Sequence, residues 1–358
     1  MKIKKKTVLK LIFIPLGCIL AIFLSLTHLP LCTILGSHFH DNSTFLRDCN
    51  NENPDFGDTP LTKISLLGSH DAMSNDINYF SSSNTSEDNF VNNWWIRFLA
   101  KGAIVRYSRA QKDNIYDQLR AGVRYIDARI TYVNGNYYNS HGLLSERFDK
   151  NLKLILRFLH ENPGEFVLFQ ICKYYKSTSN DEELYNFMNS VKYEDKSIFD
   201  YINYSSSITE FKDLTYNNLT DNGTKAGALI FSDECNIAPF NQFNFAHYES
   251  HWHNTIDNKS ITQKIIERSE YGKTTLGDDY LRVNQAQQTP NVDEIWGALF
   301  RWSLLNMAKH HNLEVVKHEK INDILEGLPI YMCDYATCNS NGFNDKIISL
   351  MKDRNINL

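Results

Sequence analysis

The chain has 358 residues, 42% of them hydrophobic and 22% charged, with a formal net charge of -5. This is globular composition with length for a large core. The mild acidity, with no basic stripe interleaved with aromatics, speaks against a nucleic-acid binder. The N-terminus departs from the rest. KIKKK at 2–6 and Lys10 precede a run from Leu11 to Leu35 that holds no Asp, Glu, Lys or Arg. A run of that length suits an uncleaved signal-anchor, with a cleaved signal peptide as the alternative because such signals share the basic start and apolar middle. Either fate keeps the lysines cytoplasmic and translocates the rest, giving a single-pass membrane protein with an extracellular or lumenal domain, or a secreted one. Residues 37–60, rich in Asn, Asp, Gly and Pro, read as a polar linker. Residues 61–358 then read as one domain.

Strands are expected at Ile64–Leu67, Val123–Ile130, Phe166–Cys172, Ala228–Phe231 and Pro329–Cys333. Helical patterns fall at Tyr116–Ala121, Leu152–His160, Glu182–Val191, Ile261–Ser269 and Asp293–His310, with Lys309-His310-His311 as a helix end. Strands alternating with helices predict an α/β fold with parallel βαβ units, and a TIM-type (β/α) barrel closes them at this length. The segments 75–90 and 175–183 read as loops. Cysteine offers no disulfide framework: seven residues, two of them in the apolar run, with only Cys333 and Cys338 close enough in sequence to pair.

Barrel enzymes place their chemistry at the C-terminal ends of strands. The first expected strand runs straight into LGSHDAMS at 67–74, so His70 and Asp71 stand at such an end. The next carries Asp127 and Arg129, two apart and hence on one face. A carboxylate and a guanidinium there either satisfy each other or await an anion. A third end carries His141-Gly142. Two histidines and an arginine supply what cleavage of a phosphodiester by an internal hydroxyl requires. One histidine takes the proton of the attacking hydroxyl, the other protonates the leaving oxygen, and the arginine neutralises the phosphoryl oxygens. Histidine serves both tasks because its ordinary pKa is near 6.5.

The segments LGSHDAMS (67–74), QLRAGVRYIDARI (118–130), HG (141–142), ILRFLHENPGEFVLFQICK (155–173) and LPIYMCDYA (328–336) resemble the X-domain of phosphatidylinositol-specific phospholipases C, over roughly residues 60 to 340. The resemblance is greatest to bacterial-type and eukaryotic X-domain-only members. It implies an irregular TIM-type barrel and attack of the inositol 2-hydroxyl on phosphorus, giving diacylglycerol and inositol 1,2-cyclic phosphate. It further implies His70 as general base, His141 as general acid and Arg129 as the phosphate-neutralising group. Asp334 would orient the base and Asp71 support the acid, with Lys173 at the rim and Asp127 as partner of Arg129. The larger signalling enzymes carry an acidic calcium ligand at the Arg129 position. The resemblance therefore implies no cofactor and no metal, a phospholipid at a membrane surface as the partner, and no obligate protein partner.

This sequence also departs from the family pattern. The strand ALIFSDE (228–234) lacks the arginine that grips the inositol ring in secreted bacterial members, and no ring-stacking tyrosine stands near RVNQAQQTPN (282–291). The headgroup is therefore left open among phosphatidylinositol, a glycosylated inositol lipid and another phosphodiester. The competing readings are a catalytically silent inositol-lipid binding module on the same barrel, and a metal-dependent phosphodiesterase, which would need an acidic cluster where Arg129 stands. In HYESHWH (247–253), His247 and His251 would share a helix face as zinc ligands, or are rim histidines. Trp94, Trp95 and Phe98, with Arg97 and Lys101, form either an amphipathic lid for a bilayer surface or a packed helix.

Overall fold

The computed structural model describes residues 39–87, 92–289, 303–339 and 342–358. The apolar run expected to anchor the chain, within residues 1–36, lies outside them. No helix among the described residues is long and apolar enough to cross a membrane. The stretch expected as a linker is folded from residue 39 onward. Helix α1 (Phe45–Glu52) buries Phe45, Leu46 and Cys49, and the turn Pro54–Asp58 buries Phe56. Burial of a Phe or Leu side chain contributes roughly 1.5–3 kcal/mol, so a few apolar residues dock a segment whose average composition is polar. The Glu165 carboxylate accepts from the backbone N–H of Leu46 and Arg47 at 3.3 and 2.8 Å and pairs with Arg124 at 2.7 Å. Arg124 also donates to the carbonyls of Leu119, Val123, Asn42 and Ser43, so this fully buried pair leaves no charge unmet. It fastens the N-terminal segment beneath the barrel, at the starts of two strands.

In chain order the other elements are β1 (Leu66–Ser69), α2 (Trp94–Ser108), α3 (Ile115–Arg120), β2 (Val123–Val133), β3 (Asn136–His141), β4 (Leu143–Arg147), α4 (Phe148–Glu161), β5 (Phe166–Tyr175), α5 (Asp181–Ser190), α6 (Tyr216–Thr220), β6 (Gly227–Phe231), β7 (Tyr248–Trp252), α7 (Asn258–Tyr271), β8 (Leu281–Gln285), α8 (Leu304–Val316), α9 (Ile321–Gly327), β9 (Ile330–Cys333) and α10 (Phe343–Ile356). All five expected strands are present. The sequence reading placed a strand end at His141, which closes β3, but missed β4, β7 and β8. Its helix at Asp293–His310 lies within the described residues only from Ser303, which caps α8, and Lys309-His310-His311 falls inside α8 rather than at its end.

The sheet runs β6-β5-β2-β1-β9-β8-β7, and every neighbouring pair in that order is parallel. It curls into an irregular TIM-type barrel that is open between β6 and β7. There Phe231 packs on Tyr248 at 5.7 Å in place of a ladder. The hairpin β3–β4 adds antiparallel to the far half of β2. Period-2 alternation divides the core. In β5, Phe166 and Leu168 pack in the cluster holding Val123 and Tyr125, while Val167, Phe169 and Ile171 face Leu152, Ile155, Leu156 and Leu159 of α4. Those α4 positions repeat at helical spacing, the reason this face was readable.

Candidate active site

The C-terminal ends of β1, β2, β3 and β9 meet at one point. At the end of β1, a Cβ on Gly68 would come within 3.0–3.1 Å of Met332 and Tyr125, so only glycine lets β1 lie this close to its neighbours. The chain then turns sharply, with Asp71 in the left-handed region at φ 42°, a conformation that Asp tolerates better than most residues. The turn is pinned by the Asp71 N–H donating to Asp127 Oδ2 at 3.0 Å. His70 Nδ1 meets Asp334 Oδ1 at 2.7 Å, and the Asp334 carbonyl accepts from Asn312 of α8 at 2.9 Å. Nδ1–H therefore points to the carboxylate, and Nε2 faces Arg129 and Asp71, 3.2 Å from Asp71 Oδ2.

Asp127 and Arg129 lie on the same face of β2, as their spacing required. The β2–β5 register slips between Ala128 and Arg129, and the guanidinium comes to rest against three groups. Its Nε is 2.8 Å from Asp71 Oδ1, and its Nη2 is 3.4 Å from Asp127 Oδ2 and 2.9 Å from His70 Nε2. At the end of β3, His141 stacks edge-on to His70 with ring centroids 5.8 Å apart. Its Nδ1 donates to the Ser108 carbonyl at 3.0 Å and lies 3.3 Å from Asp71 Oδ2. The last residue of α2 thus fixes the tautomer of the second histidine.

The charges are tightly coupled. Burial pulls the His70 pKa down, but the Asp71 and Asp334 carboxylates overcome it and hold it above the ordinary histidine value. Burial pushes His141 down to about 4, helped by the positive charge of Arg129 and then of His70. Burial lifts Asp71 to about 6 against the pull of Arg129 and His70. In Asp127 burial acts upward, yet Arg129 and His70 hold the carboxyl below its ordinary value. His70, Asp71 and Asp127 each bring one donor atom within 4.8 Å of the others, enough to hold a metal ion. The Arg129 guanidinium already lies against all three, so a cation there would compete with it.

Other expected residues stand further out. Lys173, at the end of β5, is half exposed and paired with Glu234 at 2.5 Å. His247 and His251 share no helix: His247 sits in a 3-10 turn bonded to Glu210 at 2.6 Å, and His251 lies in β7. Trp94, Trp95 and Phe98 are exposed on the first turns of α2, not packed inward, and Phe80 on the neighbouring loop is 92% exposed. That loop is tied to α2 where Arg97 donates to Ser83 Oγ at 2.7 Å. Cys333 and Cys338 are both free thiols. Neither Ser108 nor a network inside the barrel was foreseen from the residues alone. There Gln170 Oε1 accepts from the hydroxyls of Tyr125 and Tyr248, which lie 2.9 Å apart. A Gln in an otherwise apolar strand was the available sign.

No family model matches the chain. Among curated proteins it is 31% identical over 122 residues to PI-PLC X domain-containing protein 3 of Bos taurus, covering 32% of this chain and 38% of that protein. It is 27% identical over 163 residues to PI-PLC X domain-containing protein 1 of Homo sapiens, covering 41% and 50%. The match thus spans half or less of the length of these relatives. Among solved structures, the phosphatidylinositol-specific phospholipase C of Listeria monocytogenes superposes with a TM-score of 0.56 at 18% identity, covering 88% of this chain and 98% of that one. A Staphylococcus aureus phosphatidylinositol-specific phospholipase C gives 0.59 at 18%, covering 86% and 98%. The chain is a relative of the PI-PLC X-domain proteins. The fold shared with the bacterial phospholipases is the irregular barrel described above. Within it, this PI-PLC X-domain relative ends β6 on Ser232, Asp233 and Glu234, with no arginine.

Proposed function

We propose that the chain is a phospholipase C that cleaves an inositol phospholipid by attack of its own ring 2-hydroxyl. The observation that carries this reading is the pair of histidines 5.8 Å apart, each with Nδ1 committed, one to Asp334 and one to the Ser108 carbonyl, with Arg129 against His70. His70 Nε2 takes the hydroxyl proton as the ring oxygen bonds to phosphorus. The bond from phosphorus to the diacylglycerol oxygen breaks, and His141 Nε2–H protonates that oxygen. The products are diacylglycerol and inositol 1,2-cyclic phosphate. Arg129, held by Asp71 and Asp127, neutralises the non-bridging oxygens.

In the free site the proton is favoured on His70 and disfavoured on His141, the reverse of what the reaction needs. Arg129 is the second cause of the low His141 pKa, after burial. A phosphodiester anion beside Arg129 offsets that charge, raises His141 and loads the acid when substrate arrives. Domain and location follow the same reading. The barrel is the single catalytic domain, and residues 1–36 direct it across a membrane as anchor or signal. The exposed aromatics of α2 and Phe80 support a phospholipid surface as the partner.

The test incubates the full chain with phosphatidylinositol vesicles in the presence of a chelator and follows water-soluble phosphorus by NMR. A five-membered cyclic phosphate signal supports the reaction and its independence of added metal. Product that appears only when calcium or zinc is restored would remove Arg129 as the sole phosphate-neutralising charge. Vesicle binding with no product under any condition would replace the enzyme with a silent headgroup-binding module.

A further inference from the structure

Both histidines are held by one short connection between helices. Helix α2 ends at Ser108, whose carbonyl accepts from His141 Nδ1, and α3 starts at Ile115. Between them stands Gln111, fully buried, with its amide spent around the other histidine. Its Nε2 donates to the His70 carbonyl at 2.8 Å and to the Cys333 carbonyl at 3.1 Å, and its Oε1 accepts from the Ala336 N–H at 3.1 Å. The β1–β9 ladder has its last register pair at Ser69 and Cys333. His70 and Asp334 lie just beyond it, where strand pairing no longer sets the distance between the two backbones. There the Gln111 side chain bridges what the ladder leaves open. The connection is itself anchored. Ser74 Oγ accepts from the N–H groups of Ala110 and Gln111 at 3.0 and 3.2 Å, and the Ala110 carbonyl accepts from the Tyr335 N–H at 2.7 Å. Three residues of chain reach at most about 11 Å, so the group that holds His141 stays close to the group that holds His70.

From this arrangement we propose that Gln111 is a positioning residue for the reaction. It sets the His70–Asp334 pair by clamping the two backbones that carry it, and through Ser108 it keeps that pair in register with His141. The assignment deepens the phospholipase reading and rests on it for the roles of the histidines. No part of Gln111 is exposed, so it touches no substrate and acts through His70. The contact it protects is demanding: His70 Nδ1 lies 2.7 Å from Asp334 Oδ1, and such groups must be held within about 0.5 Å to act. A misplacement of about 1 Å costs on the order of 10²-fold in rate. Without Gln111 the His70 and Cys333 carbonyls each lose a donor, and the two strand ends are free to part.

Two measurements on the full chain test this. One is turnover of phosphatidylinositol vesicles. The other, independent of turnover, is the downfield proton resonance of His70 Nδ1–H, assigned by its loss in Asp334→Asn. We expect Gln111→Leu to lower kcat about 10- to 100-fold while KM changes by less than about twofold, and to weaken or shift the resonance. Ser74→Ala loosens the connection without altering the amide, so it should move kcat and the resonance the same way by less, about two- to fivefold in kcat. It also decides the matter if Gln111→Leu does not fold. A merely structural role would lower the denaturation midpoint and leave kcat and the resonance of the folded molecule unchanged. That result, with phosphatidylinositol still turned over, removes the clamp and leaves the reaction standing. A lower kcat with an unmoved resonance also overturns the clamp. A resonance lost in Gln111→Leu, in a chain that turns over no lipid even unsubstituted, would keep the clamp and remove the reaction.

Discussion

The two halves of the rim are built on opposite principles. Around β1, β2, β3 and β9, six ionisable groups crowd together and are held in place: His70 by Asp334, Arg129 by Asp71 and Asp127, His141 by the carbonyl at the end of α2. Around the ends of β7 and β8, Ser250, Gln285 and Gln287 are neutral and joined by amide and hydroxyl bonds. In the proposed reaction, the charge concentrated on one side is where a phosphodiester would be stabilised. A barrel permits this division because each strand end is set by its own loop while the sheet beneath stays common.

The comparison breaks most visibly in turnover. His70→Ala and His141→Ala should each lower kcat about 10²–10⁴-fold, the usual contribution of a positioned acid or base. Arg129→Ala should cost a similar factor through lost charge stabilisation. Circular dichroism should show all three still folded, because these side chains serve the site rather than the core. Near-normal activity in any one of them would mean that the charged half is structural.

A second contrast lies behind the neutral half. His253 and His311 are buried between β8 and α8, and burial pushes both down to about 4. In the unfolded chain a histidine titrates near 6.5. As pH falls below that value the unfolded state takes up protons that the folded state refuses, so stability is full above about 6.5 and declines toward 4. For His311 alone the loss from pH 7 to 4.5 is roughly 2–3 kcal/mol. Urea unfolding at the two pH values should show His311→Leu losing less stability on acidification than the unsubstituted chain. An unchanged difference would show that His311 does not carry the acid sensitivity.

How much of this was readable in the sequence follows the same division. The charged half announces itself because ionisable residues interrupt apolar runs at strand ends, as His70, Asp127 with Arg129, and Asp334 all do. The barrel was readable through β1, β2, β5, β6 and β9, whose runs are mostly apolar on both faces because helices cover the outside. β7 (YESHW) and β8 (LRVNQ) carry polar residues into both the interior and the helix interface, so no apolar run marks them. The N-terminal segment misled for a related reason. α1 docks through Phe45, Leu46 and Cys49 and is fastened by a Glu165–Arg124 pair contributed more than seventy positions away, a connection no local pattern contains. Ser108 was invisible because its contribution is a backbone carbonyl.

Inside the charged half, Asp334 can be separated from the groups that touch substrate. Its carboxylate is one of two that raise His70 against the effect of burial. Removing that negative charge makes the protonated imidazole less favourable and lowers its pKa. The neutral base is then available at lower pH, so the acid limb of kcat/KM for Asp334→Asn should move to lower pH than in the unsubstituted chain. The maximum should fall as well, by about tenfold or more, because the ring is no longer held in one tautomer. A lower maximum with an unmoved acid limb would assign Asp334 to orientation alone.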